Sequence, residues 1–147
     1  MLTTGSIIFS EFCNTPSVAA SNRQINQCSM TTQAIADQLV SLLRAGDFNA
    51  VYDQLFHPTK VRHIEPQSPY FAELVGVEAI KAKDAQMQAG IAEFKGMEVG
   101  EPAVAKDYFS IPYKASFVLQ DGTAVDLDEI ILYEVRDGKI VLEQFFY

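Results

Sequence analysis

The chain has no tryptophan, and only two histidines and two cysteines. His57 and His63 have no cysteine near them, so the residue types and spacing of a metal centre are missing. Cys13 and Cys28 offer a single pairing and no export signal accompanies them, so both read as unpaired thiols. Basic side chains are scarce, with 11 Lys and Arg against 19 Asp and Glu. Nucleic acid is thereby excluded as a partner, because phosphate binding needs clustered Lys and Arg. The same shortage disfavours anionic membrane surfaces. No apolar run reaches the roughly 18 residues of a membrane span. No Gly-rich phosphate loop is present, so no cofactor is implied. The short patch Ile7-Ile8-Phe9 lacks a preceding basic residue, which makes a secretory signal a poor fit and a cytoplasmic location the expectation.

What remains suits one domain. A chain of 147 residues can bury a core without staples. At 48% hydrophobic, the composition is that of a globular protein. Residues 1–29 carry only Glu11 and Arg23, so the net charge of -8 sits entirely on 30–147. That first segment reads as a loosely ordered tail or an over-extended start. The alternative is an arm packed on a partner subunit.

Patterning begins at Thr31-Thr32. Ile35, Leu39, Leu42 and Leu43 recur at helical spacing, up to Gly46. Asp47 caps a second helix carrying Val51, Leu55 and Phe56, which His57-Pro58 stops. Val61–Ile64 reads as a short strand ending at Glu65-Pro66. Gln67–Leu74, with Pro69, Tyr70 and Phe71, reads as a loop. Gly76–Phe94 reads as a third helix, with Val77, Ile80, Met87, Ile91 and Phe94 on its buried face and Gly96 as its stop. Strands follow: 97–106, interrupted by Gly100 and Pro102; 108–120; 123–135; and 140–147. Asp121-Gly122 and Asp137-Gly138 mark hairpin turns. Helices followed by an antiparallel meander form an α+β layout.

Three strings carry a resemblance: LLRAGDFNAVYDQLF from Leu42, VRHIEP from Val61 followed by GVEAIKAKDAQM from Gly76, and DEIILYEVRDGKIVLEQFFY from Asp128. Over residues 30–147 the chain resembles the nuclear-transport-factor-two-like superfamily, which includes ketosteroid isomerase and the SnoaL-like polyketide cyclases. The resemblance implies a cone-shaped fold, with three helices on a strongly curved, largely antiparallel sheet and a pocket inside. It implies fold more than function, because members include isomerases, cyclases, dehydratases, epoxide hydrolases and plain dimerisation modules.

Strand phase proposes the site residues. Val61, His63 and Glu65 share a face opposite Arg62, which prefers water. The Glu65-Pro66 pair matches the Asp-Pro that supplies the base in ketosteroid isomerase. Glu65 is therefore the expected general base, and His63 its neighbour. Glu129 is the one charge in the row Val125, Leu127, Ile131, Tyr133 and Val135, which makes it a second candidate acid. Alignment of the last turn with ketosteroid isomerase puts Glu143, Phe145 and Tyr147 on the pocket side, with Tyr113 and Phe117 on the earlier strand. These five are candidate ligand contacts, and core packing is the alternative for each aromatic. The chain departs from the isomerase at the oxyanion hole. Leu39 stands at the helix position of its tyrosine, and Ile131 lies near the position of its aspartate. The inward Arg of limonene epoxide hydrolase and the His pair of scytalone dehydratase have no counterparts.

Two readings follow. One is an enzyme that moves a proton on a small apolar, oxygen-bearing molecule, of the isomerase, cyclase or hydratase type. The other is a ligand-binding or dimerisation module of the same fold. Ile130, Leu132, Leu142 and Phe146 fall on the outer sheet face, and a homodimer through that face is expected.

Overall fold

The structure, a computed structural model, describes residues 29–147. Residues 1–28 of the expected tail, with Cys13 and Cys28, fall outside the described residues.

Helix α1 spans Thr32–Arg44. Thr31 caps it, its hydroxyl accepting from the Ala34 amide at 3.2 Å. Its stripe of Ile35, Leu39 and Leu43 is buried against the sheet. Gly46, at φ +72°, turns the chain into α2, Phe48–Ala50, where Asp47 accepts from the Ala50 amide at 3.0 Å. The chain continues as a π-helical turn over Val51–Leu55. The wider turn brings Tyr52 to the cavity described below. Helix α3 spans Val77–Gly90.

Among the described residues, seven strands build one sheet. They are β1 (Arg62–Ile64), β2 (Glu73–Val75), β3 (Ile91–Val99), β4 (Ala103–Val104), β5 (Tyr108–Leu119), β6 (Ala124–Arg136) and β7 (Lys139–Phe146). The order is β2-β1-β7-β6-β5-β3, with β4 pairing β5. Only β1 and β7 pair in parallel; the remaining pairs are antiparallel. The sheet is curved and does not close. Irregular register within β3–β5 and β6–β7 marks the bulges that bend it. The helices cover its concave face, where Phe109 stacks on Tyr133 at 4.8 Å in a core with Ile111, Ile131 and Ile140. The α+β class read from the sequence is the one observed. No helix among the described residues is long and apolar enough to cross a membrane.

Three expectations are corrected. The third helix ends at Gly90, and Ile91 and Phe94 belong to β3. Met87, Ile91 and Phe94 are apolar because they line the cavity, and that need happened to fall at helical spacing. Gly96 lies inside β3 at a register shift instead of stopping a helix. Within the expected loop, Glu73–Val75 pairs with β1, where Arg62 meets Glu73 at 2.8 Å. On β7, strict alternation puts Ile140 outward, yet Ile140 is fully buried. The irregularity between Glu134 and Val135 shifts the phase, so Ile140 and Glu143 both face inward.

Gly100 sits where β3 turns away from β5. A Cβ there would come within 2.8 Å of the Pro112 ring. That ring is rigid and set in β5, so the strand must give way. Gly100→Ala should destabilise the fold by about 1–3 kcal/mol, read by urea denaturation.

Candidate active site

A cavity of about 560 Å³ lies between the helices and the concave face. Most of its wall is apolar, supplied by side chains such as Leu43, Val51, Phe56, Phe117 and Leu127. Against this wall stand Tyr52, Lys83, Asp84, Tyr113, Glu129 and Glu143. Sheet register brings the strand members together. Tyr113 faces Glu129 across β5–β6, and Tyr133 faces Glu143 across β6–β7.

His63 is fully buried beside this cluster. The parallel pairing of β1 with β7 sets His63 opposite Glu143, and Nδ1 donates to Glu143 Oε1 at 2.7 Å. On the other side of the ring, Nε2 meets Glu65 Oε2 at 3.2 Å. Burial pushes the His63 pKa down, but the hydrogen bonds to Glu143 and Glu65 outweigh it and the net shift is upward. An imidazolium donating from both nitrogens fits this geometry. Glu65 also accepts from the Tyr147 hydroxyl at 3.1 Å and lies 3.7 Å from Lys83 Nζ. Burial alone would raise its pKa. The bonds from His63 and Tyr147 and the Lys83 charge hold it below the ordinary carboxylate value.

Glu129 differs. It is buried in the cavity wall, and burial followed by repulsion from Glu65 pushes its pKa up to about 7. Lys83 and His63 act on it only through their charge, and no hydrogen bond from the described residues stabilises its anion. Tyr113 beside it is pushed up to about 12, first by burial and then by Glu129. Its phenol therefore stays a donor at neutral pH.

The residues singled out from sequence fall into two groups. Glu129, Glu143, Tyr113, Phe117 and Phe145 line the cavity. Glu65, His63 and Tyr147 lie outside its lining, with His63 joining Glu65 to Glu143 from behind. Tyr147 is half exposed at the chain end. Lys83, Asp84 and Tyr52 escaped the sequence reading. Lys83 carried a signal, since it falls three residues after Ile80 on the face of α3 that buries Val77 and Ile80. Asp84 and Tyr52 carried none. They meet through their side chains, the Tyr52 hydroxyl of the π-helical turn donating to Asp84 of α3.

Comparison with known proteins agrees with this architecture. The family model for the SnoaL-like domain matches residues 30–147. The chain belongs to the SnoaL-like family. Among solved structures, it is similar to a provisional SnoaL-like polyketide cyclase from Mesorhizobium loti, at 30% identity and a TM-score of 0.75. That match covers 80% of this chain and 100% of the other. A protein with a cystatin-like fold from Xanthomonas campestris shares 21% identity at a TM-score of 0.67, covering 80% of this chain and 90% of that one. A further provisional SnoaL-like polyketide cyclase, from Jannaschia sp. CCS1, shares 19% at 0.63, covering 79% and 85%. These two similarities speak for the fold alone. Comparison with curated proteins finds no match.

The shifts of this SnoaL-like site set a pH dependence. Glu129 keeps its proton in the folded state from the ordinary 4.5 up to about 7, so its contribution to stability is full below 4.5 and lost as pH rises through 7. His63, also raised, contributes fully below its ordinary 6.5 and loses that contribution as pH rises through its higher folded value. Glu65, lowered, works the other way, contributing above 4.5 and losing that as pH falls. Stability should therefore fall from about pH 5 to pH 8. Glu129→Gln should lessen that fall by on the order of 2–3 kcal/mol, measured by urea denaturation at both values.

Proposed function

We propose that this SnoaL-like domain admits a small, largely apolar, oxygen-bearing molecule and that Glu129 transfers a proton to or from it. The reaction class is isomerisation, cyclisation or hydration. One observation carries the reading: a buried carboxyl in an apolar cavity, poised near pH 7, beside a neutral phenol. A general base works best when its pKa lies near the operating pH, because it is then largely ionised and still basic. Glu129 meets that condition, and Tyr113 faces it across the β5–β6 pairing with a neutral phenol that a ligand oxygen can use. The Mesorhizobium loti relative carries two names, polyketide cyclase and carbohydrate phosphatase, and the first agrees with this class.

This reading moves the base from Glu65 to Glu129. Glu65 is engaged by His63 and Tyr147 and does not line the cavity. In this account Glu65 and His63 set the charge around Glu143 and Glu129. Glu143 lines the cavity, but one of its carboxylate oxygens is engaged by the His63 ring at 2.7 Å.

We also propose that two copies pair through the outer sheet face. Ile130 and Phe146 are cross-strand neighbours there, 52% and 47% exposed in the single chain. A patch of that kind, continued by the less exposed Leu132 and Leu142, is costly to leave in water.

Two experiments test these readings. A panel of enolisable ketones, enones and epoxides should yield a substrate whose turnover rises with pH through about 7. Glu129→Gln should lower that turnover by roughly 10²–10⁴-fold with the fold intact. Turnover at the parent rate would remove Glu129 from the chemistry. Sedimentation should show a dimer at micromolar concentration, and Ile130→Glu should give monomers. A stable parent monomer would contradict the pairing.

A further inference from the structure

The oxygen atom of the proposed ligand needs a partner of its own. Resting on the reading of the cavity above, we infer that Lys83 anchors that oxygen, and that the ligand is an enolisable ketone, an enone or a phenol. A carboxylate or a phosphate ester does not suit the site.

Lys83 is buried, its side chain is part of the cavity lining, and its Nζ lies among His63, Asp84 and Glu65 at the polar end. It is the only Lys or Arg among the described residues in that lining. An ammonium has three N–H donors, and charge-assisted bonds are short, about 2.7–2.9 Å. Among the described residues, none of the contacts of Lys83 is that short. Nζ stands 3.3 Å from His63 Nε2, 3.5 Å from Asp84 Oδ1 and 3.7 Å from Glu65 Oε2. The nearest of these atoms is a poor acceptor, because Nε2 directs its own proton to Glu65 when the imidazole is charged. The Phe145 ring lies 5.4 Å away and supplies only a diffuse attraction. The surrounding acids neutralise Lys83 without occupying its donors at close range. A ligand oxygen can take one.

Charge count selects the ligand class. Asp84, Glu129 and Glu143 line the same cavity, so a ligand that arrives with full negative charge meets repulsion. A neutral ligand that ionises inside does not. The C–H or O–H bond breaks, the proton goes to the Glu129 carboxylate, and the electron pair settles on the oxygen as enolate or phenolate. The total charge of the site is unchanged. The new oxyanion faces the Lys83 ammonium, and Glu129 is now neutral. Stabilising charge where it develops is the strongest form of assistance a preorganised donor gives.

4-Nitrophenol reports the step directly, because its phenol and phenolate absorb at different wavelengths. Bound to the parent protein it should ionise, and bound to Lys83→Met its ionisation constant should be at least about tenfold lower. Within the parent, binding should also move the ¹⁵Nζ resonance of Lys83 and leave that of exposed Lys114 in place. This second readout stands even if Lys83→Met fails to fold. Equal ionisation in both proteins, or a Lys83 resonance indifferent to the probe, would overturn the anchor. If Glu129→Gln alone suppresses ionisation, the anchor falls and the proton-transfer reading stands. Failure of the parent to bind the probe would overturn both.

Discussion

The 2.7 Å bond between His63 and Glu143 organises the interior of this protein. It joins β1 to β7 at the one parallel pairing in the sheet, and both partners are buried. Two charges taken out of water are costly unless each finds the other, and removal of one leaves a stranded charge worth roughly 3–5 kcal/mol of destabilisation. The geometry here is close to ideal, with Glu65 satisfying the second ring nitrogen. The consequence reaches the cavity. Glu143 is bonded from behind by His63, Asp84 is held by Tyr52 and Lys83, and Glu65 by His63 and Tyr147. Of the carboxyls around the cavity, Glu129 is the one without a bond from the described residues to stabilise its anion. Its pKa is raised first by burial and then by the charge of Glu65.

Curvature is the second requirement. A flat sheet would carry Glu129 and Glu143 on one face without enclosing a space. The register shifts in β3–β5 and β6–β7 bend the strands around the helices, and the β6–β7 shift brings Ile140 to the same inward side as Glu143. On the opposite wall, the π-helical turn performs a similar service by bringing Tyr52 to Asp84.

Much of this was legible in the sequence where one periodicity applied without interruption. Alternation along β5 and β6 put Phe109, Ile111, Phe117, Glu129, Ile131 and Tyr133 on the buried face, as observed. Arg62 correctly signalled that His63 points inward. The reading failed where a bulge or a cavity broke the rule. Ile140 was placed outward because a phase change leaves no mark in composition. Ile91 and Phe94 were given to a helix because a cavity lining is as apolar as a core. Glu65 shares the face of His63, as read, but the strand ends before it, and its carboxylate turns to the imidazole instead of the cavity. Lys83 was overlooked because a lysine on an amphipathic helix usually reaches water. Its position between Ile80 and Met87 was the available clue.

The central claim is that Glu129 is the cavity carboxyl poised for proton transfer. A ¹³C NMR titration of the glutamate side chains, with Glu129→Gln to assign the resonance, reads that property without a substrate. The account predicts a midpoint for Glu129 near 7, well above that of Glu65. A Glu129 midpoint at the ordinary 4.5 would contradict it.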